Sequence, residues 1–260
     1  MIAGLHAAGV DLTTANAVIG TSAGAIVGAQ ILSGMPIDEL YSRQFRDPVG
    51  EAARHIPISA LGRFLMWALV PGEERQVRAR IGRAALRART VPESELKSII
   101  RTRLHGTTWP KRDLRITAID AESGEFVVFT EDSGVDLVDA VAASCAVPLV
   151  YPPVTIGGRR YIDGGMRSFA NADLAAGFDP IVVLTPLSAA LRRSRTAEGQ
   201  VESLGKGIRS LVVKGDARAR NAMGTQVLDP AFRASSAHAG WAQATSVARG
   251  VAEVWASVRA

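Results

Sequence analysis

Cysteine and histidine are scarce in this 260-residue chain, which has one cysteine, Cys145, and four histidines. A single cysteine excludes an internal disulfide, a CxxC redox pair and a zinc site built on thiolates. No two histidines have the spacing of a metal-binding pair. We therefore expect a protein of a reducing compartment that uses neither a metal nor another cofactor.

The sequence also lacks a long apolar run. No stretch reaches the length of about 20 apolar residues that a membrane-spanning helix needs. Residues 1–10 carry neither the basic start nor the apolar segment of a secretory signal. These absences predict a cytoplasmic protein that is either soluble or bound peripherally to a membrane.

A dense basic run is absent as well, although the formal net charge is +5. The basic side chains are mostly arginine and are spread along the chain, and aromatic residues make up 5% of it. Surfaces that bind nucleic acid combine clustered basic side chains with interleaved aromatic ones. We therefore expect no nucleic-acid partner.

Apolar residues recur with alternating strand and helix periods, and no polar linker interrupts them. This pattern predicts an α/β fold. Because 260 residues are close to the upper limit for one hydrophobic core, we expect a single domain over residues 1–260. Its C-terminal part, residues 189–260, is expected to be mainly helical. The sequence does not indicate an oligomeric state. Strands are predicted at residues 16–19, 114–118, 126–129, 154–162 and 180–184, and helices at residues 23–32 and 136–146.

The segment Gly20-Thr21-Ser22-Ala23-Gly24 matches GxSxG at the junction of a predicted strand and helix. A nucleophile at that junction projects from a strained turn, and glycines two residues away on either side would avoid a steric collision. The N-terminus of the helix favours negative charge, so the Ala23 N–H is a candidate oxyanion donor. In the alternative interpretation Ser22 merely caps the helix.

A second segment, Tyr161-Ile162-Asp163-Gly164-Gly165, places a carboxylate at the end of another predicted strand. The two glycines permit close backbone approach, so that Asp163 can reach a facing hydroxyl. Asp-Gly turns are also common without any catalytic role. Neither segment is decisive alone.

Together, and in this order, the two segments resemble the patatin-like phospholipase family. The similarity also takes in residues 142–153 and 177–183, so that it covers residues 1–188, with 35–110 the loosest part. It implies a three-layer α/β sandwich with a central, mostly parallel sheet and helices on both faces. It further implies that Ser22 and Asp163 form a catalytic dyad that hydrolyses carboxylic esters of acyl lipids, such as phospholipids or lysophospholipids, through an acyl-enzyme.

The resemblance is incomplete at the N-terminus. Proteins of the family carry a glycine-rich loop of the GGGxRG type before their first helix, and that loop supplies the rest of the oxyanion hole. Met1 is expected to lie within the helix that follows the loop, so this sequence has no segment that matches it. The alternatives are a start codon assigned too far downstream, a trimmed chain, or a protein that has lost the loop and binds a lipid or a partner without turnover.

Two other interpretations stay open. The order of Ser22, Asp163 and His238 would also suit a Ser-Asp-His triad in a hydrolase of small esters. The apolar residues 58–70 and the arginine face of residues 75–89 could contact a lipid surface. Core packing and a solvated helix face are the favoured readings of these two segments. In residues 75–89 we expect an outward-facing set of Arg75, Arg78, Arg83 and Arg87, and elsewhere we expect Cys145 to be packed.

Overall fold

The computed structural model describes residues 1–46, 72–187 and 192–255. These residues form strands β1 (Ala17–Gly20), β2 (Asp113–Asp120), β3 (Phe126–Phe129), β4 (Val154–Ile156), β5 (Arg159–Asp163), β6 (Ile181–Thr185) and β7 (Ser210–Lys214). They also form helices α1 (Ile2–Ala7), α2 (Ala23–Leu32), α3 (Ile37–Ser42), α4 (Glu74–Arg87), α5 (Glu93–Arg103), α6 (Leu137–Ser144), α7 (Ala197–Ser203), α8 (Ala217–Ala222) and α9 (Arg233–Trp255).

The chain groups into two compact units. A five-stranded unit comprises Asn16–Gly34 and Arg54–Ser168, and a two-stranded unit comprises Met1–Ala15, Met35–Ala53 and Phe169–Ala260. Each unit is named after the sheet that it contains. The expectation of one domain over residues 1–260 stays a prediction.

The larger sheet has the strand order β1–β2–β5–β4, with β3 also pairing with β2. β1 and β2 are parallel because a long section of chain separates them, which allows a crossover connection. Short turns join β2 to β3 and β4 to β5, so these pairs are antiparallel, and β5 is antiparallel to β2 as well. The predicted α/β class is confirmed, whereas the sheet is mixed and not mostly parallel.

Helices cover both faces of this sheet. Side chains alternate along β2, so Leu114 and Ile119 point to opposite faces. Leu114 contacts α2, because a Cβ placed on Gly28 of that helix would lie 3.0 Å from a Leu114 methyl carbon. Ile119 packs in a buried cluster with Ile81 of α4 and Ile162 of β5. The helix–sheet–helix layering that the family resemblance implies is therefore present in this unit.

The two-stranded unit has its own core. The parallel strands β6 and β7 pack with α1 and α9 around Leu5, Val213, Ala244 and Val251. α1 and α9 lie close together, since a Cβ on Gly4 would be 2.7 Å from the Ala244 Cβ. The predicted helical tail contains the strand β7, where Leu211 is followed by Val212 and Val213, and such β-branched residues favour a strand.

The arginine helix is confirmed as α4, with one correction. Arg75, Arg83 and Arg87 are exposed, but Arg78 is buried and donates through Nε to the Gly124 carbonyl at 2.9 Å. Its side chain therefore ties α4 to the β2–β3 turn. Residues 58–70, the apolar segment, lie outside the described residues. All helices that the structure describes are too short or too polar to serve as transmembrane segments.

Candidate active site

Strand β2 brings the two sequence motifs together. Gly20, the last residue of β1, pairs with Ile116, and Asp163, the last residue of β5, pairs with Ala118. Because β1 runs parallel to β2 and Gly20 pairs with Ile116, Ser22, two residues later, is expected at the level of Ala118. β3 pairs with Ile116 and Ala118 on the other edge of β2, so β1 and β5 lie end to end along the same edge. Ser22 and Asp163 therefore approach each other from opposite directions along that edge.

Residues 20–24, which we call the nucleophile turn after the role predicted for Ser22, are strained at their centre. Ser22 has φ 54° and ψ −123°, a conformation that costs a residue with a side chain on the order of 1–3 kcal/mol. A Cβ on Gly20 would lie 2.5 Å from the Ala25 Cα, so the predicted steric need for glycine holds there. It does not hold for Gly24, where no described atom would lie within 4 Å of a Cβ.

Hydrogen bonds from buried side chains fix this turn. The Ser22 N–H donates to Ser144 Oγ at 2.9 Å. Thr21 Oγ1 and Thr117 Oγ1 are 2.9 Å apart, and either hydroxyl can be the donor. Ser144 and Thr117 are both fully buried. The backbone of Ser22 is thus held by α6, and the side chain of the preceding residue, Thr21, is held by β2.

Asp163 lies at residues 163–165, which we call the base turn after the role predicted for Asp163. Its side chain is 3% exposed, and its carboxylate accepts hydrogen bonds from the Ser22 hydroxyl and, at 2.7 Å, from the Gly165 N–H. The Asp163 N–H donates to the Ala146 carbonyl at 3.1 Å. Gly164 packs directly on β2, since a Cβ there would lie 2.7 Å from the Thr117 carbonyl oxygen. The two predicted site residues are therefore in hydrogen-bond contact.

Burial raises the pKa of Asp163 from 3.8 to about 6, while the hydrogen bonds from Ser22 and Gly165 act in the opposite direction. A carboxyl group withdrawn from water loses the hydration of its charged form, which makes the carboxylate a stronger base. Above pH 6 it is mostly ionised and ready to accept a proton. Desolvation thus supplies the basicity that an ordinary aspartate lacks.

A family model described as patatin-like phospholipase matches residues 5–176, more than half of the chain, including both turns. The chain belongs to the patatin-like phospholipase family. The resemblance drawn from the two motifs is thereby confirmed, and members of this family are in general hydrolases that act on lipid esters. A search of curated proteins finds no match.

The patatin-like site also includes the backbone amide at the start of α2. Within the parts of the chain that the structure covers, no group accepts a hydrogen bond from the Ala23 N–H. Ala23 and Gly24 are exposed and Ser22 is half-buried. An amide in this position at a helix N-terminus suits a developing oxyanion.

Ser144 and Thr117 were not predicted as site residues. Both lie in buried elements whose residues look like ordinary core, and only the position of Ser144 within the family-like stretch 142–153 could have drawn attention to it. Cys145, the next residue, is packed as predicted. Burial and the neighbouring Asp163 raise the pKa of its thiol, so it has little thiolate character.

His238 lies in α9 and not in a loop. Its ring packs against Phe45, with the ring centroids 4.6 Å apart. The carboxylate of Asp163 has Ser22 and Gly165 as its hydrogen-bond partners among the described residues. These contacts give no support to a histidine triad. No cluster of three metal-ligating side chains occurs in residues 1–46, 72–187 and 192–255.

Proposed function

We propose that this protein is a lipid acyl hydrolase in which Ser22 is the nucleophile and Asp163 the general base. The observation that carries the proposal is the hydrogen bond from the Ser22 hydroxyl to a carboxylate that is 3% exposed. A Ser cap of an ordinary helix would bond to backbone amides of its own first turn. Ser22 has no such capping bond, and its hydroxyl is directed at Asp163.

The chemistry follows from this pair. Asp163 takes the Ser22 hydroxyl proton while Oγ attacks the ester carbonyl carbon, and the carbonyl oxygen becomes an oxyanion near the Ala23 N–H. As the tetrahedral intermediate collapses, Asp163 returns the proton to the leaving alcohol. Water then attacks the acyl-enzyme, gives a proton to Asp163, and releases the fatty acid as the proton returns to Ser22.

The test is hydrolysis of a chromogenic ester together with labelling by a fluorophosphonate. We expect Ser22→Ala and Asp163→Asn each to lower kcat by about a thousandfold or more, and Ser22→Ala to abolish labelling. Ser33→Ala, a serine at the other end of α2, and Asp132→Asn, an exposed aspartate, are the matched controls and should retain activity. A wild-type chain that binds lipid vesicles without turnover or labelling would instead identify a family member that only binds.

We also propose that the protein acts in the cytoplasm and contacts membranes peripherally. The exposed Arg75, Arg83 and Arg87 on α4 support the membrane contact, because arginines on one helix attract anionic lipid head groups. The wild type should sediment with vesicles that contain phosphatidylserine at low salt, and a triple Arg→Gln variant should not. Equal sedimentation of both proteins would exclude α4 as the contact.

A further inference from the structure

One three-residue segment at the end of α6 bonds to the backbone of both dyad residues. Ser144 Oγ accepts the Ser22 N–H at 2.9 Å, and the Ala146 carbonyl accepts the Asp163 N–H at 3.1 Å. The first contact joins positions 122 residues apart in the sequence. Residues 144–146, which we call the clamp segment, therefore link the nucleophile turn to the base turn without using either reacting side chain.

The clamp segment is itself rigidly held. Ser144 and Ala146 are fully buried, and the Cys145 N–H bonds back to the Val141 carbonyl at 3.0 Å. α6 begins with a side-chain cap, in which Asp136 accepts the Val138 N–H at 2.8 Å. A hydroxyl on such a helix has little freedom to move, so it can define where its hydrogen-bond donor lies.

We propose that Ser144 is a positioning residue that holds Ser22 in its strained backbone conformation, an inference that rests on the proposed function. With φ at 54°, Ser22 would relax toward negative φ unless the surrounding contacts oppose it. The bond from its N–H to Ser144 opposes that rotation directly. Because the bond uses the amide, the Ser22 hydroxyl stays available to Asp163.

Removal of this hydroxyl should affect chemistry more than binding. In Ser144→Ala we expect kcat and the rate of fluorophosphonate labelling to fall by about tenfold to a hundredfold with KM nearly unchanged, since small misplacements of a nucleophile cost rates of this size. Ser144→Thr keeps the hydroxyl and should recover most of kcat. Ala140→Gly, one turn earlier on the same buried helix, is the matched control: it should lower the unfolding temperature but leave kcat intact.

A second readout does not depend on turnover. Hydrogen exchange at the Ser22 amide, followed by NMR or on a peptide that contains it, should be faster in Ser144→Ala than in the wild type and in Ala140→Gly. The proposal would be overturned if Ser144→Ala had the same kcat and the same amide exchange rate as the wild type. It would also be overturned if Ser144→Ala and Ala140→Gly, at equal stability, lost kcat equally. If the wild type shows no Ser22-dependent turnover, the proposed function fails, and amide exchange alone then decides whether Ser144 holds the turn.

Discussion

The two turns that carry the dyad differ in how they prepare their residues. At the nucleophile turn the backbone is strained and the side chain of Ser22 is half-buried, so that a substrate can reach it. At the base turn Asp163 has relaxed dihedrals, φ −51° and ψ 128°, but is 3% exposed. In the proposed mechanism, strain directs the first residue toward the substrate, and desolvation raises the basicity of the second.

This difference is what the proposed dyad uses in place of a histidine. A serine hydroxyl is a poor nucleophile and an ordinary carboxylate is a weak base, so each must be changed by its surroundings. Here one change is geometric and the other is electrostatic. Because they arise in separate turns, each can be altered without the other.

The largest effect is expected from Gly20→Ala. The new Cβ would lie 2.5 Å from the Ala25 Cα, a backbone atom that cannot yield without moving α2. We expect a loss of about 3 kcal/mol or more in the free energy of unfolding, together with loss of ester hydrolysis. Urea unfolding measures the first and the chromogenic ester the second. A variant as stable and active as the wild type would show that the turn is not strained as described.

Asp163→Asn tests the other turn. The pKa of Asp163 is about 6 in the folded protein and 3.8 in an unfolded chain, so the folded state binds the proton more tightly. The stability that this group contributes is fully present below pH 3.8 and is lost as the pH rises through 6. The variant should therefore gain up to about 3 kcal/mol relative to the wild type at pH 8, with little gain near pH 4.

Urea unfolding of both proteins across this pH range provides the measurement. The wild-type profile of kcat/KM should also rise with an apparent pKa of about 6, because the ionised carboxylate is the active form. An activity profile that is flat between pH 5 and 8 would contradict the desolvated base.

A smaller effect is expected from the pair of hydroxyls beside the turns. Thr21→Val and Thr117→Val each remove one partner of the 2.9 Å contact, and each should cost about 1 kcal/mol of stability. A double-mutant cycle should give a coupling of at least about 0.5 kcal/mol. Strictly additive losses would show that the two hydroxyls do not bond in solution.

The smallest effect is expected from Gly24→Ala. No described atom would lie within 4 Å of its Cβ, and Gly24 is in the first turn of α2. Alanine should therefore raise the stability by up to about 1 kcal/mol through helix propensity. Comparison with Gly20→Ala separates the glycine that the turn requires from one that merely completes the motif. A large loss at Gly24 would remove that distinction.

The sequence contained enough information to place Ser22 and Asp163 at the ends of strands, because glycines and strand periodicity mark such turns locally. It could not show that both strands pair with the same edge of β2, since strand pairing depends on contacts between distant segments. Arg78 was misplaced because its helical position allows either an outward or an inward side chain, and the Gly124 carbonyl decides between them. Ser144 had no local signal, because its partner lies 122 residues away.

The pairing of β1 and β5 with one edge of β2 also bears on when the proposed dyad can form during synthesis. Ser22 and Asp163 are separated by about 140 residues of chain, and contacts over such distances form slowly and late in folding. Under the proposed mechanism, a nascent chain that already contains β1 and α2 has its nucleophile but no base. We therefore expect the growing polypeptide to be inert toward lipid until β5 has joined the sheet, which would protect membranes near the ribosome from a partly made hydrolase.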